Sequence, residues 1–459
     1  MPRRIGNLTR RLLATLMVAS VLVLVPESWA AAQGLNLIRD AEIEHTLRMF
    51  ATPVFNAANI APESVHIYLV NDPEVNSFAA AGPSIFIYTG LILATQTPGQ
   101  LIGVIGHETG HIAGGHIVMG GKAMKTAMAE SVASMLLGIA AAALGGAGGA
   151  GAAVMTGGQQ IAERQFLHFR RVEESSADAA AVTFLTRAHE SARGLVQFLK
   201  ILNQRETIMM GHVDPYVMTH PLTPERIAAL RDRVERSPYY NTPFPAAYQM
   251  PYERMKAKLT GFLDSFDETM RRYPPSDRSI PALYARAIAY YLEPDLPKAL
   301  ALIDELLAKR PKDPYFLELK GQMLLDNGHV PQSVRYYREA VAAAPDEPLL
   351  RSELGVAEVQ SKNPALLKSA ISNLELATQI DGNDPSMWYQ LSVAYGRANE
   401  IPLAQYAAAE RSYLIGDYAN AKFLAKAALE KLPPNSPAAL RAGDIQTEAE
   451  RRLKKKQRD

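Results

Sequence analysis

The 459-residue sequence contains no cysteine, only two tryptophans and a net charge of only +1. Without cysteine the chain can form neither a disulfide framework nor a lipid-modified cysteine anchor. The near-zero net charge provides no strongly basic face, so no nucleic-acid partner is expected. The chain also lacks the several long apolar segments typical of enzymes embedded in a membrane. These absences disfavour three classes of protein: disulfide-stabilised, nucleic-acid-binding and multi-span membrane proteins.

The first 32 residues have the pattern of a secretion signal. A basic start precedes an apolar run, residues 12–25, that is short for a membrane span, and small residues follow at 28–32. The basic residues are Arg3, Arg4, Arg10 and Arg11. We therefore expect a cleaved signal and a location in a bacterial periplasm. The alternative is that the segment is retained as an N-terminal anchor.

Residues 106–111 read Gly-His-Glu-Thr-Gly-His and follow an apolar stretch, residues 98–105, that is typical of a buried helix. Residues four apart lie on one face of a helix, so His107 and His111 can point two imidazoles at one metal ion, usually zinc. Glu108 lies on the same turn, where it can act as general base for the attacking water. A catalytic zinc takes three protein ligands, so another segment must supply the third.

Two segments are candidates for the third ligand. The pattern in which a third histidine follows the first pair at a fixed distance is not met, because that position is Ile117 and His116 lies one place short. Glu174 and Asp178 are four apart and share a helical face, whereas Glu173 faces elsewhere. Glu174 is predicted to bind zinc, and Asp178 to accept a hydrogen bond from a ligating histidine. His116 is interpreted as a helix-end residue or a neighbour of a ligand.

The pair of motifs His-Glu-x-Gly-His and Glu-x-x-Ala-Asp resembles the zinc metallopeptidases related to the CaaX prenyl proteases and the heat-shock membrane protease HtpX. The resemblance covers roughly residues 35–235. It implies a gluzincin-type peptidase domain in which His107, His111 and Glu174 bind one zinc ion. It therefore agrees with the ligand set that the spacing predicts.

Two further segments resemble this family. Residues 76–79 resemble its edge strand, which implies that Asn76, Phe78 and Ala79 bind substrate by backbone pairing. A His-Pro-x-x-x-x-Arg segment implies that His220 lies near the metal and Arg226 near substrate or transition state. Chemically, His220 could donate to the oxyanion or bind zinc and displace water at rest. Without the resemblance, a structural turn before a helix is the simpler interpretation.

Hydrophobic periodicity predicts a mainly helical chain with a small β-sheet. The predicted strands cover residues 65–70 and 84–89, and the predicted helices cover 36–58, 160–187, 191–205, 224–234 and 252–272. Residues 131–162 carry no charge and are rich in alanine and glycine. The alternatives for this insert are a hairpin that contacts the membrane surface, a flap over the active site, and a buried hairpin.

The C-terminal third of the sequence has a different residue pattern, which repeats. Gly321 and Gly355 are 34 residues apart, as are Pro311 and Pro345, and this is the period of tetratricopeptide repeats. Stacked helix pairs of this kind present a surface for a peptide or a partner protein. The last segment is a charged helix that we interpret as a solvated cap or tail.

These features predict four segments: a signal at 1–32, a zinc metallopeptidase domain at 33–272, repeats at 273–436 and a charged tail at 437–459. A signal, this peptidase type and repeats are together similar to periplasmic proteases that assist and degrade outer-membrane proteins. The similarity implies that the chain cuts unfolded or misassembled outer-membrane proteins and contacts the β-barrel assembly machinery through its repeats. The alternative is a chaperone or scaffold for outer-membrane protein assembly whose proteolytic site is silent or regulatory.

Overall fold

The computed structural model describes residues 35–80, 82–116, 170–208 and 220–456. The predicted signal, the uncharged insert at 131–162 and the last three residues lie outside the described residues. The described chain divides into two compact units, residues 36–357 and residues 358–456. The domain boundaries expected at 272 and 436 stay predictions.

The first unit begins with a four-stranded sheet and the helices that pack on it. Its strands are β1 (Leu37–Ile38), β2 (His66–Val70), β3 (Ser77–Ala80) and β4 (Ser84–Tyr88). Its first helices are α1 (Ala41–Ala57), α2 (Thr89–Ala94), α3 (Pro98–Ala113), α4 (170–187), α5 (Arg193–Ile208) and α6 (Pro224–Glu235). Then follow α7 (Gln249–Leu263) and α8 (Phe266–Arg272).

The strand order in the sheet is β1-β2-β4-β3. β2 and β4 are parallel, whereas β3 is antiparallel to β4, with Phe78 opposite Phe86. The two rings stack with centroids 4.8 Å apart, which fixes the register of this pair. β3 therefore forms one edge of the described sheet, and its outer backbone groups have no strand partner among the described residues.

Helix α3 carries the predicted metal-binding motif and lies in the core. Thr97 caps it by accepting from the backbone N–H of Gln100, and every residue from 98 to 111 is buried. The glycines that weaken this helix intrinsically are required by its packing. A Cβ at Gly103 would lie 2.6 Å from the backbone nitrogen of Leu195, and one at Gly110 would lie 2.6 Å from the carbonyl oxygen of Ala177.

Several element boundaries differ from the sequence prediction, and capping side chains explain two of the differences. The first helix begins at Ala41 because the Asp40 carboxylate accepts from the backbone N–H of Ile43 at 2.9 Å, and the preceding residues instead form β1. The single helix predicted over 252–272 is two helices, α7 and α8. Ser265 starts the second one by accepting from the backbone N–H of Glu268 at 3.3 Å. Both differences come from capping side chains that override apolar periodicity.

Helix pairs follow from residue 280. In the first unit they are α9 (Ile280–Leu292) with α10 (Leu296–Lys309), and α11 (Pro314–Asp326) with α12 (Val330–Ala343). The ring of Tyr337 packs against Gly321, where a Cβ would lie only 3.0 Å from it. This contact explains why the repeat has a glycine at position 321 in its first helix and a large side chain at position 337 in its second helix. The boundary between the units falls within α13 (Pro348–Gln360).

The second unit is also built from consecutive helices. They are α14 (Pro364–Ile380), α15 (Pro385–Arg397), α16 (Ile401–Leu414), α17 (Tyr418–Leu429) and α18 (Pro437–Lys456). One core packs Leu374, Trp388 and Leu391 together, and alanines such as Ala421 and Ala425 pack against Ile445 in another. The predicted fold class, mainly α with a small β-sheet and C-terminal repeats, is confirmed. In the parts of the chain that are described, none of the helices is long and apolar enough to cross a bilayer.

Candidate metal centre

Helix α3 brings the two motif histidines together in the core. His107 and Glu108 are fully buried, and His111 is nearly so. The Nε2 atoms of His107 and His111 lie 3.1 Å apart, because the two residues are one helical turn apart on the same face. Two unprotonated ring nitrogens this close would repel each other unless a proton or cation lies between them. The pair is therefore arranged for a shared positive ligand.

Glu174, on α4, completes this arrangement. One carboxylate oxygen lies 3.3 Å from Nε2 of His107, and the other lies 3.3 Å from Nε2 of His111. One helical turn further, Oδ1 of Asp178 lies 2.9 Å from Nδ1 of His107. This contact places the His107 proton on Nδ1 and leaves the Nε2 lone pair directed at the cluster. The structure thus brings together the four residues that the spacing singled out.

His220 lies in the same cluster although it comes from a distant part of the chain. Its Nδ1 is 3.3 Å from Nε2 of His107 and 3.1 Å from the Glu174 carboxylate. Its Nε2 is 3.1 Å from the backbone carbonyl of Ser77. A carbonyl oxygen can only accept, so Nε2 of His220 donates and its Nδ1 lone pair faces the cluster.

We call the four residues His107, His111, Glu174 and His220 the metal cluster. Their ligand atoms all lie within 4.8 Å of one another, and all four side chains are buried. Zinc binds imidazole nitrogen and carboxylate oxygen at about 2.0–2.2 Å in a tetrahedron, which separates neighbouring ligand atoms by about 3.3–3.5 Å. The nitrogen–nitrogen and nitrogen–oxygen distances of 3.1–3.3 Å match this value closely. The residues present therefore fit a single zinc ion.

Arg226, on α6, contacts the carboxylates of the site. Its guanidinium donates to both oxygens of Asp178, at 2.7 and 2.9 Å, and Nη1 lies 2.9 Å from Glu174. The side chain is only 7% exposed. The family resemblance implied that Arg226 lies near substrate or transition state. The structure pairs its guanidinium with the two carboxylates that face the histidines, and the position near substrate stays a prediction.

The charges of the site shift several pKa values. Burial alone would raise the pKa of Asp178, but Arg226 and His107 lower it to about 2. Burial would lower the pKa of His107, but the carboxylates of Asp178 and Glu174 raise it to about 9. Burial lowers the pKa of His111 to about 4. Asp178 therefore stays ionised at neutral pH and favours a positively charged partner beside His107.

The neighbours of the site also have distinct positions. Nδ1 of His116 lies 3.1 Å from Nδ1 of His111, which places His116 beside a cluster histidine and outside the cluster itself. Neither carboxylate oxygen of Glu173 has a hydrogen-bond partner among the described residues, and burial raises the pKa of this group to about 7. Its neighbour Glu174 occupies the cluster. The two adjacent glutamates thus lie on different faces of the helix, as the spacing predicts.

The predicted substrate-binding residues lie on or next to the edge strand. Asn76 is buried, and its backbone carbonyl accepts from the N–H of Tyr88 at 3.1 Å. Phe78 and Ala79 are half-buried on β3. Sequence reasoning missed Ser77, whose hydroxyl donates to Glu108 at 2.6 Å. The sequence did indicate this contact, because Ser77 lies between Asn76 and Phe78, and a serine hydroxyl that is buried there needs a hydrogen-bond partner.

Comparisons with known proteins agree with this geometry. Residues 38–234 match the family model described as Peptidase family M48. The chain is 26% identical to the β-barrel assembly-enhancing protease of Yersinia pestis over 78% of this chain and 73% of that protein. It is 23% identical to the protein of the same name from Escherichia coli K12 over 83% and 77% of the two chains.

Among solved structures, YrrB, described as a TPR protein with an unusual peptide-binding site, matches 54% of this chain and 99% of its own. The identity is 13% and the TM-score 0.28. The two relatives named above span both the peptidase segment and the repeats. The predicted enzyme class is confirmed. Residues 38–234 are similar to the peptidase domains of family M48, and the chain is a metalloprotease.

Proposed function

We propose that this chain is a zinc-dependent endopeptidase of the bacterial periplasm that acts on misfolded or misassembled outer-membrane proteins. The observation that carries the proposal is the convergence of His107, His111 and Glu174, with Glu108 beside them, next to an edge of the described sheet. The names of the relatives support the substrate class, and the N-terminal sequence pattern supports export.

His107, His111 and Glu174 would hold the zinc ion, because their donor atoms converge at tetrahedral spacing. When bound, zinc supplies Lewis acidity that polarises a scissile carbonyl and makes water more acidic. Asp178 holds His107 in the correct tautomer, and Arg226 holds Asp178 in place. In this proposal Arg226 also lies near the substrate and the transition state, as the family resemblance implies.

Glu108 would be the general base. It takes a proton from the attacking water and delivers it to the leaving amine. Its Oε1 accepts from Ser77, and its Oε2 is buried with no hydrogen-bond partner among the described residues. The free oxygen is the one available for the water proton. His220 would occupy the fourth ligand position at rest, because its Nδ1 lone pair already faces the cluster.

The edge strand β3 would present the substrate. An extended chain can pair with its outer backbone groups, which recognises backbone and leaves side-chain preference weak. Asn76, Phe78 and Ala79 would form this subsite. Such recognition suits unfolded or misassembled proteins, whose common feature is exposed backbone. We assign the repeats of residues 273–436 to the binding of substrate or of the β-barrel assembly machinery.

The test uses the purified mature chain and Glu108→Gln, both checked for one zinc per chain. Cleavage of a urea-unfolded outer-membrane β-barrel protein is followed by gel electrophoresis over time. We expect the wild-type chain to cut and the variant to lose activity with zinc retained, because only the base is removed. Equal cleavage by both forms would contradict the role of Glu108 as the general base. If neither form cuts and both keep the substrate soluble, the chain is a chaperone or scaffold.

A further inference from the structure

Ser77 lies where the edge strand meets the catalytic helix. It is the first residue of β3, is fully buried and pairs with Ile87 of β4. Its Oγ donates to Oε1 of Glu108 at 2.6 Å, which is within the usual range for a hydroxyl–carboxylate hydrogen bond. Its backbone carbonyl accepts from Nε2 of His220 at 3.1 Å. One residue thus contacts two groups of the site with different atoms.

The hydroxyl contact restricts the orientation of the Glu108 carboxylate. The last torsion of a glutamate is soft and broadly distributed, so a carboxylate without fixed donors can rotate. The Ser77 hydroxyl holds Oε1, and Oε2 remains buried without a hydrogen bond among the described residues. A general base must present one oxygen along a defined direction to the proton that it takes. The donor from β3 therefore selects which oxygen does so.

The carbonyl contact acts on His220 in the same way. Because the Ser77 oxygen accepts from Nε2, the neutral imidazole carries its proton there and directs Nδ1 at Glu174 and His107. Packing alone does not require a hydroxyl at this position, since alanine fills nearly the same volume. A buried hydroxyl costs free energy unless it is bonded, and here the bond goes to the proposed base.

We propose that Ser77 is a positioning residue for peptide-bond hydrolysis, whose hydroxyl fixes the Glu108 carboxylate while its carbonyl fixes the tautomer of His220. This role rests on the proposed function, because it acts through the proposed base. It also links the substrate-presenting strand to the base, since the same residue begins β3. The orientation of the base is thereby set by the strand that holds the substrate.

The experiment compares wild type with Ser77→Ala, Ser77→Thr and a control, Ser84→Ala. Ser84 is a buried serine at the start of the neighbouring strand β4, opposite Ala80, so its change also removes a buried hydroxyl from the sheet. Zinc content and melting temperature are measured for each. Initial rates on dye-labelled casein, an unfolded chain, give kcat and KM separately.

We expect Ser77→Ala to lower kcat about 10- to 100-fold, the usual effect of losing a partner that orients a group of a metal site. KM should stay within about twofold, and zinc at one per chain, because neither the edge strand nor the ligands change. Ser77→Thr should restore most of kcat, since it keeps a hydroxyl on Cβ. Ser84→Ala should leave kcat unchanged.

If Ser77→Ala lowers the melting temperature, a double variant separates the loss of stability from the loss of positioning. Glu108→Asp shortens the side chain by one methylene and so moves the carboxylate away from the Ser77 hydroxyl. Adding Ser77→Ala to Glu108→Asp should therefore lower kcat much less than adding Ser77→Ala to wild type does. An unchanged kcat in Ser77→Ala, or an equal fall in Ser84→Ala, would overturn the positioning role alone. No cleavage by the wild-type chain would overturn the proposed function and this role with it.

Discussion

The first compact unit contains two buried clusters of charged side chains with opposite designs. One is the metal cluster with its neighbours Asp178 and Arg226. The other, which we call the lysine cluster, consists of Asp40, Glu42, Arg254, Lys258, Asp313 and Glu318. In the lysine cluster Nζ of Lys258 lies 2.7 Å from Asp40, and Nε of Arg254 lies 2.6 Å from Glu42. Both clusters bury charge, but in the second a lysine and an arginine face the carboxylates, whereas in the first three histidines and one arginine do.

The lysine cluster joins the peptidase segment to the repeats. Glu42 lies on α1 and Lys258 on α7, whereas Asp313 and Glu318 lie at the start of and within the repeat helix α11. The hydroxyl of Tyr284, on α9, also donates to Glu42 at 2.7 Å. The four carboxylates exceed the two cations by two, and burial raises the pKa of both Glu42 and Glu318. Because the pKa of Glu318 is raised to about 7, a proton on this group reduces the surplus negative charge below that pH.

The metal cluster compensates its charge differently. Its histidine nitrogens converge on one point, and Arg226 is already paired with Asp178 and Glu174. The carboxylates raise the pKa of His107 to about 9, so they favour a positive charge at the histidines, either a proton or a metal ion. Buried charge alone therefore does not mark a reactive site. Histidine lone pairs that converge on one point, with no basic side chain to fill that point, do mark a reactive site.

The largest effect is expected from Lys258→Met, which removes a fully buried cation and leaves its carboxylates unpaired. The free energy of unfolding should fall by about 3–5 kcal/mol in urea titrations, because an uncompensated buried charge is costly. Lys298→Met is the control, since Lys298 is exposed and contacts Asp295 and the ring of Tyr290 at the surface. Its urea midpoint should match wild type. Equal stability of the two variants would show that the lysine cluster does not hold the segments together.

Asp178→Asn tests the metal cluster. It weakens the contacts to His107 and Arg226 without removing a ligand, so zinc affinity should fall about 10- to 100-fold. Competition with a chromogenic chelator measures this affinity. Glu173→Gln is the matched control, because Glu173 is buried on the same helix and does not contact the histidines. The same loss in both variants would contradict the assignment of Asp178.

The lysine cluster should also respond to pH, through Glu318. Burial raises the pKa of Glu318 to about 7, above the value of an unfolded chain. The folded protein therefore keeps a proton that the unfolded chain releases. The resulting stability is present at acidic pH and is lost as pH rises through about 7, by at most about 3 kcal/mol.

Glu318→Gln cannot ionise, so its free energy of unfolding should vary less between pH 5 and 8 than that of wild type. Urea titrations at several pH values measure the difference. Glu339→Gln, at an exposed pair with Arg335, provides the control and should retain the wild-type pH dependence. A parallel pH dependence in wild type and Glu318→Gln would rule out this role for Glu318.

The smallest effect is expected from Thr223→Ala. The Thr223 hydroxyl caps α6 by accepting from the backbone N–H of Arg226 at 3.2 Å. Its loss should cost about 1 kcal/mol of stability and weaken zinc binding less than Asp178→Asn does, because Arg226 moves only slightly. Ser265→Ala removes a comparable cap on α8 and should leave zinc affinity unchanged. A change in zinc affinity in Ser265→Ala would mean that general destabilisation explains both results.

Much of the site could be predicted, because residues that share a face of one helix are separated by a fixed, short distance in the sequence. The pairs His107 with His111 and Glu174 with Asp178 need only the period of an α-helix, and the 34-residue repeat is likewise visible in the residue pattern. The two strands with β-branched and aromatic residues were found in the same way. The limits of helices were predicted less well, since Asp40 and Ser265 start helices by capping.

Residue spacing thus predicts the candidate ligands, the helices that carry them and the class of chemistry. The packing of the chain brings together partners that are far apart in sequence: Ser77 with Glu108, Arg226 with Asp178, and Lys258 with Glu318. It also decided that β3 lies at an edge of the described sheet. The physical reason is that local periodicity assigns a side chain to a face of its element. What that face contacts depends on how all the elements pack to bury their apolar surfaces and compensate their buried charges.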